Sequence, residues 1–190
     1  MRPSSMSRLA VVLVAFVHVL PGVASAGEVV FQFRSQESAK AEDPEGCKVA
    51  PFEVNVRLPA EVLVAEKHGA DGKVLLAGEK KVGTGLACAR ITDRTFTEGS
   101  LVDFYARFTL PEGRFTAVGK CMVSSNTVPR AGVVLASCVL KLTEFPAKYA
   151  GGIMTSASIF NPQNLPGYHT GSFWTLRAFE ADPAPPAPKK

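Results

Sequence analysis

The sequence predicts an all-β fold, a single antiparallel β-barrel of about eight strands that follows a signal peptide. Three observations lead there. Apolar residues recur with a period of two along most of the chain, helical periodicity is scarce, and Gly/Pro/Asn-rich breaks separate the alternating runs. An open antiparallel sheet of this size would leave edges that invite aggregation, so closure is expected. Gly83, Gly85, Gly119, Gly151 and Gly152 fall inside the runs, which favours the tight coiling of a barrel. An immunoglobulin-type sandwich would need a Cys…Trp…Cys order, whereas the single Trp174 follows every cysteine.

The chain opens on Arg2 and Arg8, an apolar run over 9–20, the break Pro21-Gly22 and the small-x-small site Ala24-Ser25-Ala26. This is the secretory pattern. The run is shorter than the roughly 20 apolar residues a membrane helix requires, so no stable membrane insertion is expected. Cleavage near Ala26 leaves 164 residues, enough for one domain. The expectation is a protein released to the periplasm or the exterior. It has a barrel domain over 27–180 and a disordered Pro/Ala-rich tail over 181–190.

Within the domain, Val29, Phe31 and Phe33 alternate with Glu28, Gln32 and Arg34; Phe52, Val54 and Val56 alternate with Glu53, Asn55 and Arg57. Both runs read as half-buried strands. Residues 59–67 read as a turn or two of helix with Ala60, Leu63 and Val64 on its apolar side. A strand rich in small residues covers 83–92. The next, 101–110, sets Phe104, Ala106, Phe108 and Leu110 on one face and Asp103, Tyr105, Arg107 and Thr109 on the other. Pro111-Glu112-Gly113 is a turn by its chemistry, so 101–110 and 114–123 pair as a hairpin. The nearly all-apolar run 131–142 reads as a strand covered on both faces, or as a barrel wall with a neighbour. Runs at 153–160 and 171–179 complete the set, with further breaks at 42–46, 68–72 and 161–167.

Nineteen of the twenty-one bases and all seventeen acids follow Ala26, so the exported part carries a formal charge of about +2. No basic stripe is present, which argues against nucleic acid as a partner. Cys47, Cys88, Cys121 and Cys138 are even in number in an exported chain and read as two disulfides. Cys121 and Cys138 flank a turn-like segment and are expected to face each other across a hairpin, leaving Cys47 to Cys88. Cysteine spacing and two remaining histidines, His68 and His169, offer no metal site, and no cofactor motif appears.

From 82 to 178 the order of features resembles the allene oxide cyclase and dirigent barrel group. The stretches that carry the likeness are Val82-Gly83-Thr84-Gly85 leading to Cys88, then Phe108-Thr109-Leu110-Pro111-Glu112-Gly113-Arg114-Phe115-Thr116 with Val118-Gly119, and then Tyr149-Ala150-Gly151-Gly152. Where that family carries Gly-Gly-Thr-Gly before the Tyr, this chain has Thr143-Glu144-Phe145-Pro146. The resemblance implies a calycin-like barrel with an apolar cavity, self-association into homo-oligomers, and activity on a small hydrophobic molecule whose cyclisation or coupling the barrel steers.

Period two places Asp103, Tyr105 and Arg107 on one strand face. Turned inward, they would supply an acid, a phenol and a fixed cation for acid–base work or cation stabilisation. Turned outward, they are a solvated strand surface with Phe104 and Phe108 inside. Phe31, Phe33, Phe173 and Trp174 lie on the first and last strands, neighbours in a closed barrel, and either line a ligand pocket or fill the core. His169, in the loop Pro166-Gly167-Tyr168-His169-Thr170, is a candidate ligand contact at a barrel mouth. His68 reads as a solvated turn residue. Three functions fit: a barrel that binds and steers a small hydrophobic molecule, a non-catalytic carrier of lipocalin type, or an interaction protein with a filled core.

Overall fold

The structure, a computed structural model, describes residues 27–68 and 75–182. The expected signal peptide, most of the 68–72 break and the tail beyond Asp182 lie outside these residues. Eight strands run antiparallel in chain order: β1 (Glu28–Glu37), β2 (Val56–His68), β3 (Leu75–Arg90), β4 (Leu101–Leu110), β5 (Gly113–Ser125), β6 (Val134–Glu144), β7 (Tyr149–Phe160) and β8 (Gly171–Glu180). Each pairs with the next, and β8 pairs with β1, so the sheet closes into an up-and-down barrel with no free edge.

The period-two pattern becomes an inner and an outer surface. Along β1 the inward positions are Val29, Phe31, Phe33 and Ser35; across the closure these stand opposite Ala178, Leu176, Trp174 and Ser172 of β8. The Pro111-Glu112 turn joins β4 to β5 as expected. Gly113 there has φ 128°, a region that favours glycine. Phe108 reaches across the interior because its β3 partner is Gly85, where an added Cβ would stand 2.6 Å from the ring.

Two expectations are corrected. Residues 59–67 are strand, not helix, because β1 and β3 supply ladder partners on both sides. Pro59 is tolerated there because it stands just beyond the end of the β1–β2 ladder, and its carbonyl accepts from Ser38 N at 2.8 Å. The alternation at Phe52 and Val54 belongs to no strand. It lies in a strap, residues 38–55 with one 3₁₀ turn (Pro44–Val49), laid over the outer wall of β3 and β4.

The strap makes a second small core outside the barrel. Ala50, Phe52 and Val54 pack on Leu86, Cys88 and Tyr105, and Cys47 is bonded to Cys88. The other bridge, Cys121–Cys138, joins directly opposed residues of β5 and β6 on the inner face. The loops closed span 41 and 17 residues. In the chain-entropy account such loops stabilise the fold by about 4 and about 3 kcal/mol. β6 is covered on its inner face only: Val139, pointing outward, is 65% exposed.

Candidate functional site, an apolar cavity under the long loops

The barrel's two ends differ. At one end the connections among described residues are tight, with 111–112 joining β4 to β5 and 145–148 joining β6 to β7. Here the interior is solid. The rings of Phe31 and Phe115 lie 5.8 Å apart and those of Phe115 and Tyr149 5.7 Å, with Phe33 against Phe108 at 4.9 Å. Phe115, Val62, Leu140, Met154 and Leu176 are fully buried around them.

At the other end the connections are long: 38–55, 91–100, 126–133 and 161–170. The inward positions here are small. Ala87, Ala89, Ala136, Ser158 and Ser172 stand where the opposite end has aromatic and branched side chains. They leave a cavity of about 90 Å³, with Phe104, Phe108 and Trp174 in its wall and the Cys121–Cys138 bridge beside them. Its lining is almost wholly apolar, and Glu37 is the single ionisable side chain in it.

A chain of hydroxyls crosses this apolar wall. Ser172 Oγ donates to Ser158 Oγ at 2.8 Å, and Ser158 and Ser156 Oγ are 2.9 Å apart. Trp174 Nε1 donates to Ser35 Oγ at 2.9 Å, which fixes the indole against the wall. A hydroxyl has one proton and two lone pairs, so Ser158 and Ser172 retain capacity for a polar group on a ligand. The sequence reading passed over these serines. The signal for them was the spacing of Ser156 and Ser158, two apart on a strand whose inner face is otherwise apolar.

Phe96 forms part of the mouth. It holds φ 52° in the left-handed region, strained for a bulky residue, while its ring packs on Phe160 at 5.7 Å. Asp93 organises its loop, accepting from Thr95 Oγ1 at 2.5 Å, from Thr97 N at 2.8 Å and from Thr95 N at 2.9 Å. These bonds hold the Asp93 carboxyl well below the usual carboxylate range. Beside the mouth lies a polar crevice of about 270 Å³ lined by Asn161, Asn164, Tyr168, His169, Thr170 and Glu37. Glu37 and Thr170 border both spaces.

The candidate residues separate. Asp103, Tyr105 and Arg107 lie on the outer wall, and none lines the cavity. Asp103 accepts from Lys120 Nζ at 2.6 Å. Arg107 Nη2 donates to Glu42 of the strap at 2.5 Å, and Glu42 also accepts from Thr84 at 3.0 Å. Tyr105 is buried beneath the strap, and that burial pushes its phenol upward, with the Arg107 charge opposing. Tyr105 and Arg107 hold the strap to the barrel, while Asp103 pairs across to β5. Trp174 is the one member of the aromatic set in the cavity wall. Phe33 packs against Phe108 and stands opposite Trp174 in the ladder, and Phe31 belongs to the solid end. Phe173 points outward and is 67% exposed, because adjacent strand residues face opposite sides. His169 is exposed in the crevice, outside the cavity. His68 ends β2.

Among the described residues no group of three or more His, Cys, Asp and Glu gathers as metal ligands, and no helix is long and apolar enough to cross a membrane. No family model, no curated protein and no solved structure matches the chain.

Proposed function

We propose that the protein is an exported barrel that takes up one small hydrophobic molecule at its loop end. The cavity carries this reading. It is enclosed by aromatic and small apolar side chains, it holds a short row of oriented hydroxyls, and it stands at a barrel mouth, where ligand sites gather. Export agrees with the N-terminal pattern and with two disulfides and no free cysteine among the described residues. Steering of the ligand's cyclisation or coupling, which the allene oxide cyclase and dirigent resemblance implies, would fall to Ser158, Ser172 and Glu37, because Asp103, Tyr105 and Arg107 face away. Self-association would use the bare outer wall of β6–β8, where Val139 and Phe173 are exposed.

A neutral aromatic probe such as toluene tests the uptake. At tenfold its Kd it should raise Tm by about 3–6 °C and change the emission of Trp174. Ala136→Leu, which fills the cavity, should remove both responses. Absence of any response in the unsubstituted chain would leave the filled-core interaction protein as the better reading.

A further inference from the structure

We infer that the molecule taken up is a compact aromatic amine, its ring in the cavity and its cationic group at Glu37; this rests on the cavity being a binding site. The size of the ligand's buried part follows from the space. A cavity of about 90 Å³, smaller than the ~150 Å³ apolar void known to admit benzene, limits the buried part to one six-membered ring at most. The walls favour an aromatic ring, since Phe104, Phe108 and Trp174 present faces and edges to it.

The charge of the head group follows from what stands at the mouth. Glu37 is the last inward position of β1, two residues above Ser35. Two residues of strand span about 7 Å, the reach of a short side chain from a ring lying at the level of Ser35. The Glu37 carboxylate makes no hydrogen bond and no ion pair with the described residues. It borders both the cavity and the polar crevice, so it meets whatever leaves the one for the other. No Lys, Arg or His lines the cavity. On the outer wall Arg34 is engaged with Glu79 and Arg107 with Glu42. An anionic ligand would thus meet a carboxylate with no base in the cavity lining to offset it, the crevice beside it holding only His169. An ammonium would find that carboxylate, the spare lone pairs of the serine hydroxyls and the ring face of Phe96.

The test compares three probes of one shape on the full exported chain: phenethylamine, phenethyl alcohol and phenylacetate. Trp174 is the chain's single tryptophan and stands in the cavity wall, so its emission reports each directly. The comparison is made in low-salt buffer, where charge is screened least. There the amine should bind tightest, the alcohol next and the carboxylate weakest. Attraction of one charge and repulsion of the other at a water-exposed carboxylate together predict about a tenfold or larger gap between amine and carboxylate. Added salt should shrink that gap. Glu37→Gln should bring the amine down to the alcohol and leave the alcohol unchanged; Glu37 is exposed, so the substitution spares the core. Equal binding of the three, tighter binding of phenylacetate, or an amine preference that survives Glu37→Gln would overturn the assignment and leave the cavity reading standing. Failure of all three to bind, with toluene failing as well, would remove the cavity reading and this inference together. Binding of toluene alone would overturn only the inference.

Discussion

At the turn end of the barrel, Phe31, Phe115 and Tyr149 meet ring against ring; at the loop end, on the same strands or their neighbours, the inward side chains are Ser35, Cys121, Ala136 and Ser158. The backbone is continuous and the alternation unbroken between them. What differs is side-chain volume, together with the length of the connections above. A packed interior is as dense as an organic crystal, so a run of small residues leaves space unless the neighbours collapse into it. Here the closed hydrogen-bond ladder and the Cys121–Cys138 bridge oppose collapse. The filled end supplies the burial that holds the fold, and the open end leaves a cavity.

The largest test of that division is truncation. Phe115→Ala removes a fully buried ring from the solid end and should cost about 3–5 kcal/mol, a large share of a typical domain's margin. Phe96→Ala removes a ring at the mouth that is half-buried and held at positive φ. It should cost about 1 kcal/mol or less in urea melts, because only partial burial is lost and the Cβ that strains the backbone is kept, and it should speed probe exchange. Equal costs at the two positions would abolish the distinction.

Overpacking gives a smaller and sharper contrast. Ala117 is buried on β5 beside the solid end, and Leu in its place should cost about 1–3 kcal/mol. Ala136→Leu meets the cavity instead and should change the urea midpoint little, within about 0.5 kcal/mol, while ending probe uptake. A penalty at Ala136 like that at Ala117 would mean that the space is not available to a side chain.

How much of this the sequence disclosed depends on how local the cause is. Alternation is local, so most strands and the hairpin at Pro111-Glu112-Gly113 were legible; the even cysteine count pointed to two bridges, and the turn-like segment between Cys121 and Cys138 to their pairing. The strap was not legible. Phe52 and Val54 alternate as a strand would, and only the tether from Cys47 to Cys88, 41 residues away, places them on an outer wall. That wall also decides Asp103, Tyr105 and Arg107: their common face was readable, but its direction depended on which face the bulkier Phe104 and Phe108 took. The cavity was hidden for a related reason. It is made by small residues of six strands arriving at one level, and level depends on the register of every pair around the barrel. Trp174 and Phe173 show the finest grain of the problem, since one residue of offset separates cavity wall from solvent.

The smallest expected effect concerns acid. The solid end's described ring cluster, Phe31, Phe115 and Tyr149, is apolar, whereas the loop end is ordered partly by Asp93, whose carboxyl is held far down by hydrogen bonds from Thr95 and Thr97. A carboxyl depressed in the folded state contributes order that is present above its unfolded pKa, near 3.9, and is lost as pH falls through its folded value. Acidification below about pH 4 should therefore loosen the 91–100 loop, and Phe96 with it, while the Phe115 cluster holds. Amide exchange followed residue by residue down the acid range should show protection falling first at Thr95 and Thr97, whose N–H groups Asp93 accepts. Asp93→Asn keeps an acceptor oxygen but cannot titrate, so it should weaken the loop modestly at neutral pH and flatten its acid response. Simultaneous loss of protection at both ends, in the original chain and in the variant alike, would tie the mouth to global unfolding and deny it a stability of its own.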